Sequence, residues 1–175
     1  MDDAVAAARA LRAEADGHDA TYELSPDRLD AMEAEWVAAC VRLRSPGGDR
    51  VALVRTRWSG ERWVAPGGGV EPGDESLRAA ARREVREETG LDATVGDPVL
   101  VERQTWVDET DPERRVEGWL VLFDGVAAGE SFAADPGEDD AEIREVGWFS
   151  DPDVAFGGPS WAVREALAAA LRDPS

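Results

Sequence analysis

Three glutamates in the middle of the sequence have a spacing that suits a metal site. Glu84, Glu87 and Glu88 lie three and four positions apart, so on a helix their carboxylates converge on one side. Carboxylates at such positions repel one another, and the negative end of the helix dipole adds to the repulsion. A hard cation such as Mg²⁺ or Mn²⁺ removes the conflict, because it takes oxygen ligands and keeps positions open for substrate phosphates. The spacing therefore indicates a divalent-metal site.

A solvated surface helix is the alternative explanation for the same glutamates. Neighbouring arginines can neutralise them, and Arg83 and Glu87 have the spacing of an ordinary ion pair one helical turn apart. The arginines concerned are Arg78, Arg82, Arg83 and Arg86. The three glutamates by themselves do not decide between a metal site and a solvated surface.

A longer pattern surrounds the glutamates and favours the metal site. Gly69 is followed after five residues by Glu75, and seven further residues lead to the run Arg83-Glu84-Val85-Arg86-Glu87-Glu88-Thr89-Gly90-Leu91. In this pattern residues 69–91 resemble the Nudix box, a motif specific enough to indicate a family when it lies between a strand and a helix. The positions that match are Gly69, Glu75, Arg83, Glu84, Val85, Glu87, Glu88, Gly90 and Leu91.

The resemblance implies a fold and a reaction. The implied fold is α/β, a Nudix-like α/β/α sandwich with a mixed β-sheet and a catalytic loop-helix-loop. The implied reaction is hydrolysis by water of the diphosphate in a nucleoside diphosphate linked to another group X, with Mg²⁺ or Mn²⁺ as the cofactor. The alternative is a catalytically silent module of the same fold that binds a nucleotide, and the complete set of box glutamates favours the enzyme.

The resemblance also implies roles for individual residues of the box. The Gly69 carbonyl completes a metal shell, Arg83 orients the glutamates, and Glu75 assists as a structural or charge-balancing group. The residues that hold the metals are Glu84, Glu87 and Glu88, with Glu88 and Glu84 as the most direct ligands. A base outside the box is expected in the loop 137–142, where four acids are crowded. Glu138 is the first candidate for this base and Glu142 the second, although a hydrated acidic surface explains each of them equally well.

Aromatic and arginine residues near the turn before the box are candidates for substrate binding. Trp63 and Trp106 are predicted to stack on a nucleobase, and Trp58 is a further candidate. Arg57 and Arg62 are predicted to contact the non-reacting phosphates. Core packing of the tryptophans and surface ion pairs of the arginines are the alternatives.

The identity of X is less well defined by the sequence. Residues 63–72 resemble the segment before the box in diphosphoinositol-polyphosphate and dinucleoside-polyphosphate hydrolases, although similar runs occur throughout the family. The proline that marks ADP-ribose hydrolases downstream of the box is replaced by Trp106 and Val107. ADP-ribose is therefore not favoured.

Composition limits the partners of the protein. Its 175 residues include 38 acidic and 19 basic side chains, a formal net charge of −19. This charge disfavours binding to polymeric nucleic acid and to anionic membranes. No segment approaches the roughly 20 apolar residues of a membrane span, and the acidic start differs from a secretory signal. A cytoplasmic protein with a small-molecule nucleotide substrate is expected.

The choice of basic residue bears on the salt conditions in which the protein is stable. Every basic residue is arginine and lysine is absent, so the composition resembles that of halophilic proteins, in which salt screens the self-repulsion. A coding bias towards arginine is the alternative, and a free energy of unfolding that does not rise with KCl would exclude the halophilic explanation. His18 is the single histidine, which excludes a multi-histidine zinc site. Carboxylates are therefore expected to carry the catalysis.

The elements that position the box are predicted from periodicity and from turn residues. Residues 1–35 are predicted to form a helical appendage, with helices over 3–16 and 26–35, that packs on the sheet, covers the cleft or forms a homodimer. Residues 36–175 are predicted to form the Nudix hydrolase domain, with Asp74 as N-cap of the box helix and Gly90 as its end. Its predicted strands span 36–43, 51–56, 62–65, 99–107, 116–123 and 143–149, and its helices span 75–89 and 160–171.

Overall fold

A mixed β-sheet runs through the centre of the computed structural model, which describes residues 1–134 and 142–173. In the described residues the seven strands are β1 (Asp16–Leu24), β2 (Glu35–Arg44), β3 (Val51–Thr56), β4 (Gly67–Gly69), β5 (Ala93–Asp108), β6 (Arg115–Ala127) and β7 (Ile143–Phe149). The helices are α1 (Asp2–Leu11), α2 (Pro26–Asp30), α3 (Leu77–Thr89) and α4 (Trp161–Arg172).

The first and last strands of the chain, β1 and β7, lie at opposite edges of the sheet. The order is β1-β5-β6-β2-β3-β7, and β4 pairs with β2 beside this path. The β1–β5 and β2–β6 pairs are parallel, whereas the remaining pairs are antiparallel. The predicted mixed sheet is therefore confirmed.

Two hydrophobic cores lie on opposite faces of this sheet. On one face, α1 and α3 bury Val5, Ala81 and Val85 against residues of β2 and β6 such as Val41. On the other face, α4 buries residues such as Leu167 against β3 and β5. Side chains alternate between the two faces along each strand, so a single sheet supplies both cores. This layering confirms the predicted α/β fold of strands covered by helices.

Helix α3 begins and ends at residues that favour those positions. The hydroxyl of Ser76 accepts a hydrogen bond from the amide of Ala79 at 3.1 Å, which caps the first turn. Gly90 ends the helix with a φ of 74°, which glycine adopts without a steric penalty. The predicted end at Gly90 is confirmed, but the predicted N-cap at Asp74 is wrong. The helix begins after Ser76, and Asp74 binds a side chain of the helix instead.

Most of the other predicted elements are confirmed with small changes of length. The strands over 51–56 and 143–149 have the predicted bounds, and β5 and β6 extend beyond theirs. The segment 62–65 is not a continuous strand, because its residues form only isolated bridges, Val54 with Val64 and Trp63 with Phe156. Val54 belongs to β3, whereas Phe156 lies between β7 and α4. The segment therefore connects these two parts of the fold without forming a continuous strand pair.

The N-terminal region differs from the prediction of a purely helical segment. Helix α1 ends at Leu11, and the next residues form β1, which pairs with β5 over nine residues. Helix α2 is also short and ends at Asp30. The free backbone groups at the edge of β5 explain the strand, because pairing with β1 satisfies them. Apart from Asp16, strand β1 lies between the two predicted helices, where no element is predicted from the sequence. The division of the chain after residue 35 stays a prediction.

None of the described helices combines the length and the apolar character that a membrane crossing requires.

Candidate active site

Arg83 on α3 gathers the acidic residues of the box around its guanidinium group. Its Nη1 donates to Glu84 at 2.8 Å and to Glu87 at 3.0 Å. Its Nη2 donates to the carbonyl oxygen of Gly69 at 2.9 Å and to Asp74 at 2.9 Å, and its Nε donates to Asp74 at 3.1 Å. One cation therefore holds the helix, the β4 strand and the intervening loop in a fixed relation.

The electrostatics of this group follow from its contacts and its burial. The hydrogen bond with Arg83 lowers the pKa of Asp74, although burial of the carboxyl group acts in the opposite direction. The same bond raises the pKa of Arg83. Burial raises the pKa of Glu84, and its bond to Arg83 offsets only part of this effect. Arg83 and Asp74 thus form a charged anchor, whereas Glu84 is held in a less hydrated position.

Two glycines of β4 let its backbone approach β2 and a side chain of α3 closely. The amide of Gly67 donates to Oε2 of Glu88 at 2.8 Å. Gly67 has a φ of 147°, and a Cβ there would lie 2.4 Å from the Cα of Cys40. A Cβ on Gly68 would lie 2.8 Å from the carboxylate of Glu84. Side chains at these two positions would therefore displace either the neighbouring backbone or an acid of the box.

A cavity of about 580 Å³ opens beside these residues. Six glutamates and one arginine account for the charged side chains among the described residues that line it. The lining comprises Glu33, Thr56, Trp58, Gly67, Gly68, Gly69, Val70, Glu71, Arg83, Glu84, Glu87, Glu88 and Glu142. We call this space the acidic cavity. Its charge favours cations and disfavours polyanions that carry no bound cation.

The oxygen donors of the acidic cavity suit a hard divalent cation. Glu84, Glu87, Glu88 and the Gly69 carbonyl are the oxygen ligand types that Mg²⁺ and Mn²⁺ prefer. The guanidinium of Arg83 already contacts three of these four groups, which shows that they accept a positive charge. Within residues 1–134 and 142–173, however, no three acidic side chains are arranged around a common ion position. Binding of one ion by three of these carboxylates would therefore require their side chains to move.

Glu75 and Glu142 are the other predicted catalytic carboxylates that the structure describes. Glu75 is exposed in the bend before α3. Glu142 is half-buried, lines the acidic cavity and accepts a hydrogen bond from the amide of Arg57 through its carbonyl oxygen. Glu138 lies outside the described residues. The cavity thus brings Glu142 together with the box glutamates.

Arg57 contacts the ring of Trp58, which lines the acidic cavity. Trp58 lines the cavity and is 71% exposed. The guanidinium carbon of Arg57 lies 4.2 Å from the centre of the Trp58 ring, a cation–π distance. An exposed indole beside a charged cavity is free to contact a ligand, whereas a packed one is not.

The remaining predicted substrate residues lie away from the acidic cavity. Trp63 packs against Phe149, with ring centres 4.5 Å apart, and Arg62 donates to the carbonyl of Phe156 at 3.2 Å. Trp106 lies on β5 and contacts the ring of Tyr22. Trp63 and Trp106 are the first stacking candidates by sequence, but among the three tryptophans it is Trp58 that lines the acidic cavity within the described residues.

The sequence analysis assigns Asp74 only to the N-cap of the box helix and does not include Glu33 among the candidate site residues. A signal for Asp74 did exist, because an acid nine residues before Arg83 stands in the loop that must fold back onto the helix. Glu33 belongs to the N-terminal region and reaches the acidic cavity only through the tertiary structure. No local pattern in the sequence distinguishes it from the other exposed acids.

Asp74→Asn is expected to lower the free energy of unfolding by about 2 kcal/mol at pH 7, because it leaves the buried face of Arg83 without its main anionic partner. The folded-state pKa of Asp74 is below its unfolded value. Its stabilising effect is therefore present above that unfolded value, roughly pH 4, and is lost as pH falls through the folded-state pKa. Denaturant titrations at several pH values measure the difference between the two proteins.

Asp92→Asn is the matched control for this measurement. The Arg86–Asp92 ion pair is also formed by an arginine of α3, but its side chains are 68% and 67% exposed. Loss of such a pair is expected to cost less than about 0.5 kcal/mol. Equal effects of the two substitutions would contradict the role of Asp74 as the anchor of Arg83.

Comparison with known proteins gives one family for most of the chain. The model of the NUDIX domain matches residues 34–169. A diphosphoinositol polyphosphate phosphohydrolase 3-alpha of Homo sapiens is 41% identical over 78 residues, which cover 45% of this chain and 44% of that protein. A diphosphoinositol polyphosphate phosphohydrolase 2 of Rattus norvegicus is 48% identical over 59 residues, which cover 34% and 32%. The chain thus spans less than half the length of these relatives.

Solved structures resemble the fold over about four fifths of this chain. A mutator MutT protein from Bacillus halodurans superposes with a TM-score of 0.56 and 23% identity, covering 79% of this chain and 84% of that chain. An ADP-ribose pyrophosphatase from Streptococcus suis gives 0.53 and 21%, covering 80% and 94%. At these identities the likeness concerns the fold.

Proposed function

The chain belongs to the Nudix hydrolase family, and on this premise we propose that it hydrolyses the diphosphate of a nucleoside diphosphate linked to another group X. The observation that carries this proposal is the acidic cavity, in which the box glutamates, Arg83 and Glu142 face one space of about 580 Å³. Such a space accommodates a nucleotide-sized ligand. The products are a nucleoside monophosphate and the phosphorylated group X, because water adds to one phosphorus as the bridging oxygen leaves with the other.

Some box residues would bind the metal ion, and others orient the residues that bind it. Glu84, Glu87, Glu88 and the Gly69 carbonyl would hold Mg²⁺ or Mn²⁺, which supplies neutralisation of charge on the phosphate oxygens when bound. Arg83 orients two of these glutamates through its bonds to them. Asp74 in turn fixes Arg83 through two hydrogen bonds. The amide of Gly67 holds Glu88 toward β4.

A carboxylate outside the box is proposed to take the proton from the attacking water. Glu142 is the described candidate, because it lines the same cavity as Glu84 and Glu88. Its backbone is fixed by the bond from the Arg57 amide at 2.9 Å. A general base has to come within hydrogen-bonding reach of its water, and a residue that lines the cavity is a candidate for this role. Glu138 remains the other candidate of this loop.

The charge of the cavity favours substrates with few negative charges. The described lining offers one arginine against six glutamates, so a polyanion such as an inositol pyrophosphate meets repulsion that metal ions offset only in part. A nucleoside diphosphate derivative carries fewer charges. We therefore favour this substrate class, even though the relatives that match residues of this chain are named diphosphoinositol polyphosphate phosphohydrolases.

A turnover screen tests the proposal directly. Oxidised nucleotides, nucleotide sugars, ADP-ribose, dinucleoside polyphosphates and inositol pyrophosphates are incubated with the protein, Mg²⁺ or Mn²⁺ and high KCl, and the products are separated by chromatography. We expect nucleoside monophosphate from at least one nucleoside diphosphate derivative, slower reaction of inositol pyrophosphates, and loss of turnover with EDTA. Reaction in ¹⁸O-labelled water is expected to place the label on one product only.

One result would favour the catalytically silent nucleotide-binding module over the enzyme. If the wild-type protein and Glu88→Gln were equally inactive on every substrate while a nucleotide still bound, the proposed hydrolysis would be wrong. Nucleotide binding without turnover would then be the function of the cavity.

A further inference from the structure

A second cavity lies next to the acidic cavity and has the opposite character. Its volume is about 290 Å³, and the described residues that line it carry no charged side chain. They are Cys40, Val64, Ala65, Gly67, Gln104, Trp106, Leu120, Gly157, Gly158, Pro159, Ser160, Val163 and Leu167. We call this space the apolar cavity. Gly67 lines both cavities, so the two cavities approach each other at this residue of β4.

The polar edge of the apolar cavity is held by a buried carboxyl group. Glu102 is only 2% exposed. Its Oε1 accepts from the Tyr22 hydroxyl at 2.9 Å and from Nε2 of Gln104 at 2.7 Å, and its Oε2 accepts from the Ser160 hydroxyl at 2.8 Å. A buried carboxyl group is costly unless its oxygens are hydrogen-bonded, and these three donors meet that requirement.

The network continues from Glu102 to the indole of Trp106. Nε1 of Trp106 donates to Oε1 of Gln104 at 3.1 Å, while the other end of the Gln104 amide donates to Glu102. The ring of Tyr22 lies 4.7 Å from the ring of Trp106. The orientation of Gln104 is therefore fixed at both ends, and the indole is held by one hydrogen bond and one ring contact.

Tyr22 brings the N-terminal strand into this network. It lies on β1, which precedes the residues matched by the family model, and its register partner on β5 is Trp106. Burial raises the pKa of Tyr22 to about 12, so its hydroxyl keeps the proton that it donates to Glu102. The N-terminal region thus contacts Trp106, which lines the cavity, and Glu102 behind it.

We propose that Tyr22 and Glu102 are positioning residues, which hold Trp106 and Gln104 so that the apolar cavity binds the uncharged ring of the substrate. This inference rests on the proposed function, because the charged diphosphate of the same molecule then occupies the acidic cavity. The contrast in charge between the adjoining cavities matches the contrast between a neutral base and a diphosphate. Aromatic walls bind planar rings by stacking, and the fixed amide of Gln104 adds a directional polar group.

Glu102→Gln tests the network with little change of volume. In this variant the NH₂ group of residue 102 would face a donor that now binds Glu102. If Gln104 rotated to accept a hydrogen bond from this NH₂ group, its own NH₂ group would face the indole N–H of Trp106, which is also a donor. One or two hydrogen bonds are lost in either arrangement, so we expect KM for a turned-over nucleoside diphosphate derivative to rise about tenfold. The value of kcat is expected to stay within about twofold, because the box is unchanged.

Tyr22→Phe and Tyr22→Ala separate the hydroxyl from the ring. We expect KM to rise about threefold for phenylalanine, which loses one donor, and about tenfold for alanine, which also loses the ring contact. Glu23→Gln is the matched control, since Glu23 is exposed on the same strand and is expected to leave KM unchanged. A purely structural role of Tyr22 would lower the melting temperature without this graded effect on KM.

Val163→Phe keeps the test decisive if Glu102→Gln does not fold. Val163 lines the apolar cavity on the first turn of α4, and a phenyl group there would fill space without removing a member of the network. We expect it to raise KM about tenfold or more, the effect of excluding a stacked ring. Unchanged KM in Val163→Phe, or in folded Glu102→Gln and Tyr22→Ala, would overturn the inference.

Calorimetric binding of AMP and GMP distinguishes this inference from the proposed function. These probes carry the ring but no diphosphate to hydrolyse. Weaker binding to Glu102→Gln than to the wild-type protein supports the apolar cavity as the ring site even if no substrate is turned over. Turnover by the wild-type protein with unchanged ring binding in Glu102→Gln would retain the hydrolase and overturn the inference.

Discussion

Glu88→Gln is expected to lower kcat by about 10³-fold, because the amide cannot supply the negative charge that a metal ion and the developing transition state require. The fold is expected to persist, since the remaining side-chain oxygen can still accept the bond that the Gly67 amide donates to Glu88 at 2.8 Å. Steady-state kinetics with Mg²⁺ measures kcat, and thermal unfolding measures stability.

Glu165→Gln is the control for this substitution. Glu165 is also a helical glutamate paired with an arginine, Arg172, but it lies on α4, about half-exposed. Its loss is expected to leave kcat unchanged. A kcat for Glu88→Gln within tenfold of the wild-type value would show that Glu88 does not take part in the reaction.

Gly67→Ala is expected to lower the free energy of unfolding by about 3 kcal/mol or more. The φ of 147° at Gly67 is accessible to glycine but not to alanine, and the new Cβ would lie 2.4 Å from the Cα of Cys40 and 2.5 Å from the carbonyl oxygen of Ala39. Both neighbours are backbone atoms of β2, so neither can move without distorting the sheet. Denaturant titration measures the loss.

Gly68→Ala is expected to separate activity from stability at the next residue. Its Cβ would lie 2.8 Å from the Glu84 carboxylate, which is the end of a side chain and can rotate away. We expect a change in unfolding free energy of less than about 1 kcal/mol, but a fall in kcat of at least about tenfold as Glu84 is displaced. Gly73→Ala is the control, because nothing lies within 4 Å of its Cβ position. Equal behaviour of the three alanine variants would contradict this account of β4.

The box helix could be predicted from the sequence because its determinants are local. The 3.6-residue period places Leu77, Ala81 and Val85 on one face, and all three are buried. The same period places Glu84, Glu87 and Glu88 together, and Gly90 ends the helix. The predicted N-cap at Asp74 is wrong because Asp74 and Ser76 both have side chains suited to that position. The sequence does not reveal that Asp74 accepts hydrogen bonds from Arg83 instead.

Contacts between distant segments could not be predicted in the same way. The acidic loop 137–142 offered several equivalent carboxylates by chemistry, and its position relative to the cavity is a property of the fold. Trp63 and Trp58 are both stacking candidates by sequence, but Trp63 forms an isolated bridge with Phe156 and packs on the core beside α4. Sequence distance is a poor guide where the chain reverses direction between neighbouring strands.

The sequence by itself determined the groups that we propose to act in the reaction. The spacing of Glu84, Glu87 and Glu88, the position of Arg83 and the glycines before them are written along 23 consecutive residues, 69–91, and helical geometry alone brings the carboxylates together.

Only the tertiary structure decided what surrounds those groups. Strand β1 forms because β5 offers an unpaired edge, and its pairing carries Tyr22 to Trp106 and Glu102. Glu142 reaches the acidic cavity because β7 pairs with β3 at the edge of the sheet. Helical periodicity acts over a few residues, whereas strand pairing joins residues far apart in the chain. The division between an acidic and an apolar cavity therefore arises from the sheet and not from the motif.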